Sequence, residues 1–175
     1  NLGLDVNLFN DALKLNIDGF YERRRNILSI PGTVPGQAGI IADNLPRLNV
    51  GVVENKGFEA VAEYRKNFKN QGFFIRGNFS YARNKILNMD EPSFEGLEWQ
   101  KQTGRRLGEY YGLTAVGLFK DWNDIHTSPV QDFAGLVQPG DIKYLDISGD
   151  GRIDAEDQGY LGKVTFPEKI LGLAL

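Results

Sequence analysis

The first half of the chain alternates apolar and polar residues with a period of two, and this pattern constrains the fold more than any other feature. Period two is the side-chain period of a β-strand, so each alternating segment is predicted to be a strand with one apolar and one polar face. The alternation runs through four segments. Their apolar positions are Leu2, Leu4, Val6 and Leu8; Leu13, Leu15, Ile17, Gly19 and Tyr21; Phe58, Ala60, Ala62 and Tyr64; and Phe73, Ile75, Gly77, Phe79 and Tyr81.

The connections between these strands run short, long, short. Asn10-Asp11 and Asn67–Gln71 are short turns, whereas Arg23–Lys56 contains a long loop rich in Gly and Pro, with Arg23–Arg25 at the end of the second strand. Outer-membrane β-barrels have short periplasmic turns and longer extracellular loops. Residues 1–84 are therefore predicted to form four barrel strands, with the short turns in the periplasm and the long loop outside the cell.

Residues 85–168, here called the excursion, are predicted to form one long extracellular insertion between barrel strands. Tyr110–Phe119 has the character of a strand, but a membrane crossing there would leave the long stretch after it in the periplasm, against the same rule. We therefore expect a local strand or hairpin at Tyr110–Phe119. Residues 169–175 are predicted to begin the next barrel strand, which is cut off. The fold class is all-β, an antiparallel transmembrane β-barrel fragment.

The composition excludes several functional classes. The 175 residues include no cysteine, which rules out disulfides and thiolate metal sites, and the net charge of −3 offers no basic surface to nucleic acid. No apolar run approaches the ~20 residues of a membrane-spanning helix. No nucleophile elbow, phosphate-binding loop or catalytic carboxylate pair stands out, and His126 is the only histidine. The chain is predicted not to be an enzyme.

The strongest local motif is an aspartate-rich stretch at residues 146–157, here called the aspartate loop. Its spacing matches that of calcium loops, in which oxygen ligands at alternating positions converge on one ion. Gly151 falls where the turn needs a residue without Cβ, and Ile153 falls at the position of the apolar anchor. The predicted ligands are Asp146, Ser148, Asp150, the carbonyl of Arg152, Asp154 and Asp157.

Two departures from the calcium-loop pattern leave an alternative open. The last ligand position is Asp157 instead of glutamate, and no helix pattern precedes Asp146. The loop is therefore closer to a dockerin-type loop than to a complete EF-hand. The alternative is an aspartate-rich turn that needs no metal. In either case the role is predicted to be structural, because a full oxygen shell leaves no open position for chemistry.

Aromatic residues concentrate in the excursion. Aromatic faces stack on sugar rings, so some of these residues are candidate contacts with a ligand or a partner; packing within the excursion is the alternative. The candidate contacts are Trp99, Tyr110, Tyr111 and Trp122.

The order of several short signatures resembles the SusC/RagA-type TonB-linked outer-membrane receptors. Val52–Glu59 is similar to the G-x-V-x-N-K-G-x-E segment of that family. Asn78–Ile86 is similar to its N-x-S-x-N-K-N-K-V strand end, although position 82 is alanine. The remaining signatures are Gly108–Gly112 with Gly117–Phe119, Gln138–Asp146, and Tyr160–Gly162 with Pro167. The resemblance covers essentially the whole chain.

The resemblance implies a large barrel with an N-terminal plug, located in the bacterial outer membrane and energised by the TonB system. It further implies a SusD-like surface lipoprotein as partner and import of oligosaccharides or peptides. The plug and the TonB-contacting segment are not in this sequence. The competing class is a soluble, calcium-stabilised β-sandwich that binds or adheres, which would use the same alternating strands and the same aspartate loop.

Overall fold

The computed structural model describes residues 1–33, 45–69, 71–131, 133 and 135–175. Residues 34–44 of the predicted long loop and Asn70 of the predicted second turn lie outside this part. No helix in it is long and apolar enough to cross a membrane. The helical turns are α1 (Trp122–His126) and a 3-10 turn (Glu98–Gln100). The strands are β1 (Leu2–Leu8), β2 (Leu13–Ser29), β3 (Leu48–Asn67), β4 (Gly72–Asn88), β5 (Glu109–Gly112), β6 (Ala115–Leu118), β7 (Ile142–Tyr144), β8 (Gly159–Val164) and β9 (Lys169–Ala174).

Five strands form one antiparallel sheet in the order β1-β2-β3-β4-β9. The turn between β1 and β2 contains Phe9, Asn10 and Asp11, all with positive φ. β9 pairs directly with β4, from Tyr81 opposite Lys169 to Arg76 opposite Ala174. The predicted all-β antiparallel fold class is thus confirmed, and Tyr110–Phe119 is not a strand of this sheet.

The register places all four predicted apolar sets on one face of the sheet. Ile17, for example, lies between Leu4 on β1 and Ala60 on β3, and Ala60 lies opposite Phe79 on β4. β9 continues the row with Leu171, opposite Phe79. This apolar face is largely exposed: Leu4 is 57% exposed and Leu171 is 79% exposed.

The exposed apolar face argues against the β-sandwich. A sandwich buries one face of each sheet against a second sheet. In the described residues the other two sheets have two strands each, β5 with β8 and β6 with β7, and Leu2, Leu4 and Leu171 of the five-stranded sheet stay exposed. The alternative of a sandwich domain is therefore wrong for this part of the chain.

The central strands are longer than predicted. β2 does not end at Arg23–Arg25 but continues to Ser29, and β3 begins at Leu48, inside the predicted loop that ends at Lys56. β4 continues to Asn88, so residues 85–88, predicted to begin the excursion, belong to the strand. The register between these strands shifts between Arg24 and Ile27, and Asn26 has a φ of 58°. A β-bulge at this point inserts an extra residue and changes which face the next side chain takes. The alternation therefore breaks although the strand continues.

The excursion has a small fold of its own. A local strand or hairpin is predicted at Tyr110–Phe119: the strand character is confirmed by β5 and β6, but the hairpin is wrong, because each pairs with a later strand, β8 and β7. Phe119 and Ile153 are buried in this part. Buried Gln131 donates to the carbonyl of Ile142 at 3.0 Å and accepts from the N–H of Tyr144 at 2.8 Å, so its amide satisfies two backbone groups along one edge of β7.

Gly57 lies where the sheet leaves no room for a side chain. A Cβ at this position would lie 2.0 Å from the carbonyl oxygen of Tyr81 and 2.7 Å from the ring of Phe20. Phe20 is directly opposite Gly57 on β2, so its ring covers the glycine on the polar face of the sheet. The glycine of the Val52–Glu59 signature is therefore a packing requirement of the sheet.

We predict that Gly57→Ala destabilises the protein by about 1–3 kcal/mol, the usual cost of overpacking, because backbone atoms of β4 would have to move. Gly77→Ala is the matched control on β4, since a Cβ there meets nothing within 4 Å. The measurement is thermal unfolding of the purified full receptor, followed by β-sheet circular dichroism. Equal melting temperatures for the two variants would contradict this packing argument.

Candidate functional site

Both ends of the excursion are fastened to the same strand, β4. At the outgoing end the N–H of Gly104 donates to Ile86 at 2.8 Å, and the N–H of Ile86 donates to Arg105 at 2.8 Å. At the returning end the N–H of Ala82 donates to Glu168 at 3.0 Å. Three backbone groups of β4 beyond its pairing with β9, the N–H groups of Ala82 and Ile86 and the carbonyl of Ile86, are thus satisfied by the excursion.

Arg106 links these two ends through an ion network. Its guanidinium lies 3.0 Å from Glu168 and 3.6 Å from Glu109, and it also donates to the carbonyl of Gly162. Glu109 in turn accepts from the N–H of Gly162 at 2.7 Å. The hydrogen bond to Glu168 raises the pKa of Arg106, against an opposing effect of burial. With its side chain 15% exposed, Arg106 fixes the base of the excursion.

A cavity of about 500 Å³ lies on the polar face of the sheet, beside this base. The sheet supplies both apolar and polar walls, and the excursion closes it. One side of the cavity is formed by Arg24 and Glu22, whose Nε and Oε1 atoms form an ion pair at 2.6 Å. Such a mixture of apolar surface and a few hydrogen-bonding groups is typical of ligand sites. The lining residues are Glu22, Arg24, Ile27, Val53, Asn55, Ala82, Asn84, Leu107, Phe166 and Pro167.

No pattern in the sequence predicts this cavity. Its walls come from three strands and from two distant parts of the excursion, at Leu107 and at Phe166. No local spacing joins them. The period of two is a partial signal, because the alternation continued past Tyr21 would place Glu22 and Arg24 on the opposite face.

The aspartate loop folds as a compact turn whose carboxylates accept hydrogen bonds from its own backbone. Asp146 accepts from the N–H of Gly149 at 2.6 Å, from the N–H of Gly151 at 2.9 Å and from the hydroxyl of Ser148 at 3.2 Å. Gly149 and Gly151 have φ of 79° and 85°, which favours glycine. The turn predicted at Gly151 is therefore present.

Asp157 is the organising residue of this loop. It is fully buried, and its two oxygens accept from the N–H groups of Ile147 at 2.8 Å, Ser148 at 3.0 Å and Asp154 at 3.0 Å. Next to it Ile153 is 1% exposed, and its N–H donates to Val130 at 2.8 Å. Ile153 thus anchors the loop to the excursion.

The hydrogen bonds of Asp157 also control its ionisation. Burial raises the pKa of the carboxyl, but the N–H groups of Ser148, Asp154 and Ile147 together outweigh that effect and hold the pKa below its ordinary value. A lowered pKa in the folded state means that ionised Asp157 stabilises the fold. This contribution is fully present above the unfolded-chain pKa of about 3.9 and is lost as the pH falls through the folded-state pKa.

The predicted calcium ligands lie in one turn, but their oxygens are engaged by backbone donors. Asp150 accepts from the N–H of Arg152 at 2.8 Å, and Asp154 accepts from the N–H of Glu156 at 2.8 Å. Within the described residues no group of three or more acidic, histidine or cysteine side chains is arranged to hold a metal ion. Calcium binding by this loop stays a prediction.

The four predicted aromatic contacts are not brought together. Trp99 donates from its indole to the carbonyl of Glu156 at 2.7 Å, so it packs within the excursion. Tyr111 makes an edge-to-face contact of 5.1 Å with Tyr160. Tyr110 and Trp122 are 53% and 58% exposed and remain available to a partner.

Comparisons with known proteins agree with this architecture. The sequence model of a family described as TonB dependent receptor-like, beta-barrel, matches residues 1–163. The structure of the RagAB peptide transporter is similar with a TM-score of 0.63 and 18% identity, covering 98% of this chain and 18% of that chain. The RagAB peptide importer in its open-open state is similar with a TM-score of 0.62, 18% identity and the same coverage. No curated protein matches. The chain thus spans about a fifth of the length of the structures it matches.

Two isosteric substitutions separate the structural role of the aspartate loop from calcium binding. We predict that Asp157→Asn loosens residues 140–165 even without calcium, at a cost of about 1–3 kcal/mol, because one of its two accepting oxygens is lost. Asp150→Asn keeps an acceptor for the N–H of Arg152 but removes a charged ligand. It should leave hydrogen exchange of the calcium-free loop unchanged and weaken only calcium binding.

The measurement is calorimetric titration of the chelated full receptor with calcium, together with hydrogen exchange over residues 140–165. A site of the extracellular class would bind at about 10⁻⁴–10⁻³ M. If millimolar calcium gives no heat and no added protection, the metal-free turn is the correct interpretation.

Proposed function

Because the chain belongs to the TonB dependent receptor-like β-barrel family, whose members lie in the outer membrane, we propose that it forms part of the wall and outer mouth of a SusC/RagA-type importer. The observation that carries this proposal is the exposed apolar face of the five-stranded sheet. A face of this kind needs a lipid environment, because exposed leucines in water would cost hydrophobic free energy. The prediction that the chain is not an enzyme agrees with membership of a receptor family.

The aromatic residues of the apolar face support its placement in a bilayer. One pair, Tyr64 with Phe73, lies toward the short turn between β3 and β4, with ring centroids 6.3 Å apart. Phe58 contacts Phe79 at 5.6 Å and Tyr81 at 6.0 Å toward the other end of the strands. Outer-membrane barrels carry aromatic girdles at both membrane interfaces. We propose that the two groups mark these interfaces, with the excursion outside the cell.

The cavity on the polar face is the proposed contact surface for the imported ligand. In a barrel the polar face lines the interior, so the cavity lies in the outer part of the lumen, beneath the excursion. Its apolar patches beside Asn55 and Asn84 suit a short peptide, which offers both apolar side chains and amide groups. The RagAB structures, described as peptide transporters, support this choice of ligand class. An oligosaccharide is the second candidate.

The proposed partner is a SusD-like surface lipoprotein that covers the mouth. Tyr110 and Trp122 are exposed on the excursion and are the candidate contacts with it, since exposed aromatic residues are enriched at protein interfaces. Energy would come from the TonB system through another part of the receptor.

To test the orientation of the sheet, we compare Ile17→Arg with Val61→Arg. Both replace an aliphatic residue at nearly the same depth: Ile17 lies opposite Ala60 on the apolar face, and Val61 is the next residue on the polar face. Arginine at a bilayer midplane costs about 2–4 kcal/mol. Ile17→Arg should therefore destabilise the reconstituted receptor by about that amount, measured by reversible unfolding in lipid, and Val61→Arg by much less. Similar values for both would contradict the barrel.

To test the cavity, we introduce Leu107→Trp into the full receptor and measure uptake of labelled oligopeptides and oligosaccharides by cells. The larger indole side chain would fill part of the cavity and should lower the uptake of the true ligand about tenfold, corresponding to ~1.4 kcal/mol of lost contact. Leu171→Trp, on the apolar face, is the control with the same change in size. If neither ligand class is affected at equal receptor abundance, the cavity is not a ligand surface.

A further inference from the structure

A group of basic residues lies on the apolar face just beyond the aromatic residues Phe58 and Tyr81. We call it the cationic rim; its members are Arg23, Lys56, Arg83, Lys85 and Lys169. We propose that the cationic rim binds the phosphate group of an outer-leaflet lipid whose acyl chains cover the apolar face below it. This inference rests on the proposed placement of the sheet in the outer membrane.

The register of the sheet brings these residues together. Lys169 lies opposite Tyr81. In the next row outward, Lys56 lies between Tyr21 on β2 and Arg83 on β4. One row further, Glu54 lies between Arg23 and Lys85. All of these side chains lie on the same face as Phe58. On each strand they are an even number of residues from Phe58 or from the residue paired in its row, and side chains two residues apart share a face.

The charge of the cationic rim is mostly uncompensated. Glu54 is the acidic residue within these rows, and the hydroxyl of Tyr21 already donates to it at 3.3 Å. Arg83 is 3.7 Å from Glu168 but remains 53% exposed. Within the part of the chain that the structure describes, no ion pair is formed by Lys56 or Lys85, and both are exposed.

The geometry of the cationic rim forms a pocket of the right size for a headgroup. A cavity of about 340 Å³ is lined by the three cations Lys56, Arg83 and Lys85, with Arg106 at its side and Glu54 as its acidic residue. Its other lining residues are Tyr81, Asn84 and Gly104. Diagonal neighbours on adjacent strands, such as Lys56 and Lys85, have Cα atoms about 7–8 Å apart, and lysine side chains are long enough to converge on one phosphate. Arg106 is held by Glu109 and Glu168, so it forms the wall of the pocket and is not counted among the free cations.

The opposite end of the apolar face is different. In the described strands, the basic residue of this face near the short turns is Lys66, whose ammonium lies 5.5 Å from the ring centre of Phe68. The apolar face thus carries five basic residues at the end toward the excursion and one at the end toward the short turns. Contact with acyl chains alone does not explain this asymmetry. It matches a membrane in which one leaflet carries more phosphate than the other, because charge-assisted contacts to phosphate are strong. The asymmetry also orients the sheet independently of loop length.

The test measures binding of diphosphoryl lipid A to the purified full receptor in detergent, with dephosphorylated lipid A and inorganic phosphate as separate probes. The test variant is Lys56→Gln with Lys85→Gln. The control is Lys14→Gln with Lys66→Gln, which removes the same charge near the other end of the sheet. A basic residue near an anionic membrane surface contributes about a fivefold gain in binding. The test variant should therefore bind diphosphoryl lipid A about 25-fold more weakly, and the control should bind it like the unmodified receptor.

Besides unchanged lipid binding in the test variant, three results would overturn the proposal. The first is an equal loss in the control, which would show a nonspecific charge effect. The second is equal affinity for the dephosphorylated lipid, which would show that acyl chains alone bind. The third is inorganic phosphate binding as tightly as the lipid, which would identify a free-phosphate site. Peptide or oligosaccharide uptake by the test variant should stay normal. If lipid binding is also unchanged in that variant, the lipid site is rejected, while the proposed function as an importer is unaffected.

Discussion

The hydrogen-bonded register of the five-stranded sheet is the constraint on which the other features depend. Side chains alternate along each strand, so a slip of one residue between β2 and β3 would move every apolar residue of one strand to the other face. The observed register instead aligns Leu4, Ile17, Ala60, Phe79 and Leu171 in a single row. The same ladder satisfies the backbone polar groups, which lipid cannot do. A lipid-facing wall and a polar interior follow from this one alignment.

The sequence was sufficient to predict the middle of each strand and insufficient to predict its ends. In the middle, every second side chain meets the same environment, so the period of two is visible directly. Beyond Arg24 the bulge at Asn26 shifts the register, and the pattern is lost while the backbone pairing continues. Leu48–Lys56 falls within the predicted loop for a similar reason, because Gly and Pro residues lie nearby and no alternation indicates a strand there.

For the excursion and the candidate site, the sequence predicts only features formed by residues that lie close together along the chain. The aspartate loop and its buried anchor Ile153 were found because they lie within twelve consecutive positions. The structural role of Asp157 could not be predicted in this way. Its three hydrogen-bond donors are backbone N–H groups, which every residue type except proline carries. The pairing of β5 with β8 joins segments some fifty residues apart through three matched positions, and the cavity unites still more distant residues. Such contacts depend on the folded topology.

The attachment of the excursion to a single strand has an evolutionary consequence. Gly104 and Arg105 of the excursion bind β4 at Ile86, and Glu168 binds it at Ala82, so the two anchor points lie close together on one edge of the strand. A segment inserted in this way is exchangeable: it can lengthen, shorten or be replaced without altering the pairing of any barrel strand. The barrel wall and the excursion are therefore free to diverge at different rates, and a foreign excursion grafted between these two anchor points would leave the pairing of the barrel strands intact.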